Sequence, residues 1–152
     1  IYCELESSMV ICFSGQSRES AAIIDEQKSA MQSHDGSAVQ ALHQLKDDAL
    51  RMKQAVGVGD IDTMAMLLER SWRAKKATAH SVSNPRIDSL LETALSNGAL
   101  AGKVSGAGGG GFMFFLVHPE NRYRLIEALS NAGGQAAPVK FTNRGCETWR
   151  FR

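Results

Sequence analysis

Ten residues hold most of the chemistry that can be read directly from this 152-residue sequence. Residues 102 to 111 run Gly-Lys-Val-Ser-Gly-Ala-Gly-Gly-Gly-Gly. Glycine lacks a Cβ, so its backbone can approach a ligand closely and adopt positive φ. Successive free N–H groups in such a turn form a concave nest for anions, and phosphate is the usual guest. Lys103 and Ser105 add a charge and a hydroxyl, both on the side of an extended chain opposite Val104. The bland alternative is a hairpin connection, for which one or two glycines suffice. Four in a row lose much backbone entropy on folding, and that surplus favours contact with a ligand over a plain turn.

Two familiar phosphate sites are excluded. No Gly-Lys-[Ser/Thr] follows the glycines, so the loop is not a Walker A. Gly106, Gly108 and Gly111 match G-x-G-x-x-G, but Phe112 to Val117 behind them reads as a strand. A dinucleotide site needs a helix N-terminus there.

Other candidates are thinner. Arg18 follows the loop Ser14-Gly15-Gln16 and is placed either to grip a substrate phosphate with its guanidinium or to sit solvated at a helix start. Arg86 reads as structural, because a helix N-terminus disfavours a cation. His34, His43, His80 and His118 share no ligand spacing, so no metal site is expected. Asp25-Glu26 and Asp47-Asp48 are adjacent helical pairs that point two ways, and they read as solvated surface.

The elements that must position these residues follow from periodicity. Met9 to Phe13 is a short apolar run ending at Ser14-Gly15, a buried strand. A helix capped by Ser17 is expected to turn Ala21, Ile24 and Met31 inward and to end near Asp35-Gly36. Val39, Leu42, Leu45, Ala49, Met52 and Val56 lay one stripe on a long helix, as core or domain interface. Gly57 and Gly59 stop it, and Asp60 caps the next helix, with Ile61, Met64, Leu68 and Trp72 inward and Lys75-Lys76 at its C-terminus. Asn84 and Pro85 start another, with Ile87, Leu90, Leu91, Ala94 and Leu95 inward, ending at Asn97-Gly98. Strands are expected at Leu100 to Val104, Phe112 to Val117, Gln135 to Phe141 and Glu147 to Phe151. A helix from Pro119 to Ala132 should bury Tyr123, Ile126 and Leu129. The order is one strand, four helices, then ββαββ: an α+β fold, an antiparallel sheet with helices on one face.

Composition agrees with a single domain over residues 1–152. The chain is 43% hydrophobic and 22% charged with net charge +1, which argues against nucleic-acid or membrane partners. Cys3, Cys12 and Cys146 lack any CxxC or His-paired spacing and read as reduced cytoplasmic thiols. Glu4 and Glu6 stand where a signal peptide would be basic, and Ile1 in place of Met suggests either the later part of a longer protein or a trimmed chain.

Lys103-Val104-Ser105-Gly106-Ala107-Gly108-Gly109-Gly110-Gly111-Phe112 resembles the third motif of the GHMP kinases, the superfamily of galactokinase, homoserine kinase, mevalonate kinase and phosphomevalonate kinase. Phe13 to Ser20 is similar to the Thr-Gly-x-x-Arg-x-Ser stretch of sugar kinases. Ser83-Asn84-Pro85-Arg86-Ile87-Asp88 resembles the Ser-Asn-Pro-x-Ile-Asp stretch of the D-glycero-D-manno-heptose 7-phosphate kinases. The resemblance spans essentially the whole chain, set against the C-terminal half of such an enzyme. It implies a ferredoxin-like domain with an inserted helical segment, and ATP- and Mg²⁺-dependent phosphorylation of a sugar or sugar phosphate. Ser105, Gly106, Ala107, Gly108, Gly109, Gly110 and Gly111 would then shape the phosphoryl-transfer site, with Ser14, Gly15 and Arg18 near the substrate. The family's main phosphate loop, Pro-x-x-x-Gly-Leu-Gly-Ser-Ser-Ala, and its catalytic acid are absent from these residues. No catalytic residue is therefore expected here, an N-terminal kinase half is the expected partner, and the chain alone should be inactive. Two other functions remain open: a non-catalytic small-ligand or regulatory module, and a protein-interaction domain using the 39-to-56 stripe.

Overall fold

A computed structural model describes residues 1–17, 19–32 and 36–150. The chain opens with a short helix, α1 (Tyr2–Ser7). Strand β1 (Met9–Phe13) follows as its apolar run requires. Helices α2 (Ser20–Gln32), α3 (Gly36–Val58) and α4 (Ile61–Lys76) come next, then α5 (Pro85–Ser96). Strands β2 (Ala99–Val104) and β3 (Phe112–Val117), helix α6 (Arg122–Asn131) and strand β4 (Gln135–Pro138) complete the order.

The sheet runs β2-β3-β1-β4 with every pairing antiparallel. This is the expected α+β, ferredoxin-like sheet carrying an inserted helical segment. Alternation along β3 divides the molecule. Met113, Phe115 and Val117 join Val10 and Cys12 of β1 against Ile87 and Leu90 of α5 and Leu125 and Leu129 of α6, all fully buried. Ala101 and Leu116 point the other way, into a smaller cluster with Met64, Leu67 and Leu68 of α4. The inserted α3–α4 hairpin covers that second side.

Two helix starts form as their sequences dictate. The Asp60 carboxylate accepts from the Thr63 N–H at 2.9 Å, and Asn84 Oδ1 accepts from the Ile87 N–H at 3.0 Å with Pro85 behind it. Each such cap satisfies a helix-end donor that would otherwise be orphaned.

Several expectations need correction. Leu95 of α5, read as inward, is exposed, and β4 stops at Pro138 short of Phe141. Helix α2 begins at Ser20, beyond the reach of a Ser17 cap, and it buries Ile23 while Ile24 and Met31 are exposed. In α3 the buried positions are Ala38, Ala41, Asp48 and Ala55, so Leu45, Met52 and Val56 lie at the side of that face and border a cavity. In α6 the buried pair is Leu125 and Leu129, four residues apart, and Tyr123 is exposed. Residues 147–150 form no strand, and Phe151 lies outside the described residues. Pro138 ends β4 because it has no N–H to donate to a ladder. The chain then docks on α1: Phe141 N–H and the Lys140 ammonium bind the Glu6 carboxylate at 2.8 and 2.7 Å, and the Phe141 ring meets Tyr2 edge-on.

Candidate functional site

Residues 105 to 111 link β2 to β3, so the paired strands fix both ends of the glycine loop. Ser105 N–H extends the ladder to the Phe112 carbonyl at 2.8 Å. Gly106, Gly108, Gly109, Gly110 and Gly111 all have positive φ, from 73° to 154°. At Gly108 a Cβ would lie 2.7 Å from the Val82 carbonyl oxygen, so no larger residue fits without displacing backbone.

Three neighbours grip the loop. On one side Gly111 N–H donates to the Gln16 carbonyl at 2.6 Å, and Ser14 N–H donates to the Gly111 carbonyl at 2.9 Å. The structure thus joins the two candidate segments, Ser14-Gly15-Gln16 and the glycine run, at the same end of the sheet. Gly109 is held from above: its N–H donates to the Val82 carbonyl at 2.8 Å, and Asn84 Nδ2 donates to the Gly109 carbonyl at 2.9 Å. The same Asn84 side chain caps α5, so one residue ties the loop to a helix start. On the third side the Lys75 ammonium donates to the Gly106 carbonyl.

The expected anion nest is therefore divided. Gly109 and Gly111 spend their N–H groups on the protein. Among the described residues, the N–H groups of Gly106, Ala107, Gly108 and Gly110 have no protein acceptor. Ser105 and Gly106 are exposed, while Gly109 and Gly110 are buried.

The lysine expected to serve the loop is not the one that touches it. Lys103 turns away and donates to Ser71 Oγ of α4 at 3.1 Å. Lys75, read only as a helix-end charge, reaches the loop. Burial chiefly, and the nearby Lys103 charge next, push the Lys75 ammonium below its ordinary pKa. Burial pushes Lys103 down too, opposed by the Asp48 carboxylate.

Asp48 corrects another expectation. Asp47 is solvated, but Asp48 is only 2% exposed. Its Oδ1 accepts from Gln44 Nε2 at 2.8 Å and from the Arg70 guanidinium, with Nε at 2.7 Å. Glu26 is likewise not idle surface. It accepts from the N–H groups of His80 and Ser81 and from the Ser81 hydroxyl, and that hydroxyl chiefly holds its carboxyl below the usual range. Glu26 thereby fixes the 3₁₀ turn His80–Val82 whose last carbonyl clamps Gly109. No sequence signal marks the links to Arg70, His80 and Ser81: those partners stand 22 to 55 residues apart.

Ser14 is buried and its hydroxyl donates to the Gln16 carbonyl at 3.1 Å, while Gly15 is exposed. Arg18 lies outside the described residues. Arg86 is structural, as expected, donating to the carbonyls of Ser14 and Ala132 at 3.1 and 2.7 Å. Among the described residues no three His, Cys, Asp or Glu side chains group as metal ligands, and no helix is long and apolar enough to cross a membrane. Cys3 and Cys146 are exposed, Cys12 is buried, and none is paired.

A family model described as GHMP kinases C terminal matches residues 52–135, more than half of the chain. The chain belongs to the GHMP kinase family. It is 40% identical, over 99% of its length, to the D-glycero-alpha-D-manno-heptose 7-phosphate kinase of Campylobacter jejuni. It spans 44% of that relative, so less than half of the related enzyme is represented here. Among solved structures, the D-glycero-D-manno-heptose 1-phosphate kinase from Bacteroides thetaiotaomicron aligns with 99% of this chain at 28% identity and TM-score 0.65, the chain covering 38% of it. The L. major mevalonate kinase in complex with R-mevalonate aligns with 81% of the chain and shares the fold at TM-score 0.74 and 19% identity, with 37% of its own length covered. The GHMP match thus takes in β2, the glycine loop and β3.

Proposed function

We propose that this chain is the C-terminal half of an ATP-dependent kinase for a heptose phosphate, and that Ser105 to Gly111 complete its phosphoryl-transfer site. The observation that carries this reading is the loop's division of labour. Gly109 and Gly111 are clamped by protein carbonyls, which holds the N–H groups of Gly106, Ala107, Gly108 and Gly110 in a fixed array. Preorganised donors of this kind lower the cost of charge developing on phosphoryl oxygens, because they need not reorient during the reaction. The 40% identity to a heptose 7-phosphate kinase supports a heptose phosphate as the substrate class.

The residues fit a phosphate-bearing cofactor such as ATP: a glycine cradle that a Cβ would fill, free N–H donors and the Lys75 ammonium beside it. ATP would supply the transferred phosphoryl group. Among the described residues no three His, Cys, Asp or Glu side chains group as ligands for Mg²⁺. Ser14, Gly15 and Arg18 would line the sugar side. Ser14 acts there by anchoring the loop, since its hydroxyl is engaged internally. A cytoplasmic setting suits both ATP and the three unpaired thiols.

The reading makes the isolated chain inactive and dependent on an N-terminal half. The test combines the chain with the N-terminal part of the Campylobacter relative and measures ATP-dependent phosphorylation of D-glycero-D-manno-heptose 7-phosphate. Turnover is expected only with both parts present. Turnover by the chain alone, or its failure in a folded complex of both parts, would overturn the proposal.

A further inference from the structure

We propose that a cavity between α3, α4 and the sheet is a second binding site, for a small neutral molecule with a hydroxyl-type head on an apolar body. The cavity measures about 450 Å³, within the range of small-molecule sites. Leu45, Met52 and Val56 of α3, Met64 and Leu68 of α4 and Phe114 of β3 form its body. Three polar groups border it: Asp48, Ser71 and Lys103.

Those groups are unevenly satisfied. Asp48 Oδ1 takes the donors from Gln44 and Arg70, while Oδ2, equally buried, has no partner among the described residues. A buried carboxylate oxygen left without a donor is costly, and the terminal torsion of Asp is broad. A modest turn of the carboxylate therefore presents Oδ2 to a guest. Lys103 gives one bond to Ser71 and keeps further N–H donors.

Hydrogen bonding selects the head group. Arg70 and Lys103 both lie near the Asp48 carboxylate. An ammonium head offers Lys103 no acceptor, and a carboxylate head offers Oδ2 no donor. A hydroxyl donates to Oδ2 and accepts from Lys103, so it serves both. The methionine-rich wall adapts to varied apolar bodies. The loop's free N–H groups belong to Gly106, Ala107, Gly108 and Gly110, none of which borders the cavity.

The test uses the full chain with ¹³C-methyl methionine and three probes of one length: 1-octanol, octanoate and octylamine. Met9, Met52 and Met64 border the cavity, whereas Met31, Met66 and Met113 do not. Octanol should shift the first three methyl signals saturably and leave the others in place. The two charged probes should bind about tenfold more weakly or worse, the scale of one hydrogen bond to a charged group. Asp48→Asn should weaken octanol by a similar factor. Because that change also disturbs Arg70, Ala49→Phe provides a second variant: it fills the cavity from the outer side of α3 and should abolish the shifts with the fold intact. Octanoate binding as tightly as octanol, all six methyls moving alike, no saturable shift, or shifts persisting in Ala49→Phe would each overturn the site.

Discussion

The two faces of the sheet are built to different standards. On the α5–α6 side Val10, Met113, Phe115, Val117, Leu90, Leu125 and Leu129 are all fully buried. On the α3–α4 side Leu45, Met52 and Phe114 are half-buried or border a cavity of about 450 Å³, and Val58 and Met66 are well exposed. The first face is a close-packed core, where lost volume is felt directly. The second carries the charged groups, Asp48, Arg70, Lys75 and Lys103, and one of them touches the glycine loop. One side is sealed, and the other keeps a cavity beside its charged groups.

Substitutions can break or sharpen this contrast. The largest effect belongs to the sealed face: Phe115→Ala should cost about 3–5 kcal/mol in urea unfolding. Leu45→Ala, beside the existing cavity, should cost clearly less, about 1–2 kcal/mol, because its surroundings are already open. Equal losses would dissolve the distinction between the faces.

At the loop, Gly108→Ala should cost about 1–3 kcal/mol, since φ there is +122° and the new Cβ meets the Val82 carbonyl. Amide exchange should rise at Gly109, the residue that Val82 clamps.

A smaller effect should follow pH through Glu26. Its folded pKa is depressed, so its contribution is fully present above the ordinary carboxylate pKa and is lost as pH falls through the lower folded value. Amide exchange at His80, Ser81 and Gly109, corrected for intrinsic rates, should therefore rise below about pH 4, and Glu26→Gln should flatten that rise. A profile unchanged by the substitution would remove Glu26 from the clamp.

The smallest stability change is expected for Lys75→Met, within about 1 kcal/mol of the parent because the ammonium is partly solvated. Its mark should instead be faster exchange in the loop from Gly106 to Gly108.

Much of this arrangement is legible in the sequence, and the rest is hidden for physical reasons. Local signals were sound: Asp60 and Asn84 cap their helices, and the run Phe112 to Val117 is a strand directly behind the glycines. These depend on neighbours within three or four residues. What the sequence hides depends on distant partners. Nothing near Asp48 marks it as buried, because Arg70 supplies its charge partner from another helix. Nothing near Lys75 points to Gly106, 31 residues away. Ile23 and Ile24 are equally apolar, and only the packing of α2 selects Ile23. The run from Glu147 has strand-like composition, but the chain leaves the sheet after Pro138 for the Glu6 carboxylate.

The central claim is that the clamped glycine loop completes a phosphoryl-transfer site. The most direct test is the turnover number of the two-part enzyme with heptose 7-phosphate, with and without Gly108→Ala in this chain. The account predicts a loss of about 100-fold or more in kcat, the scale of a misplaced transition-state donor, while the unfolding midpoint stays well above the assay temperature. A kcat within threefold of the parent, with the loop visibly displaced by amide exchange, would contradict it.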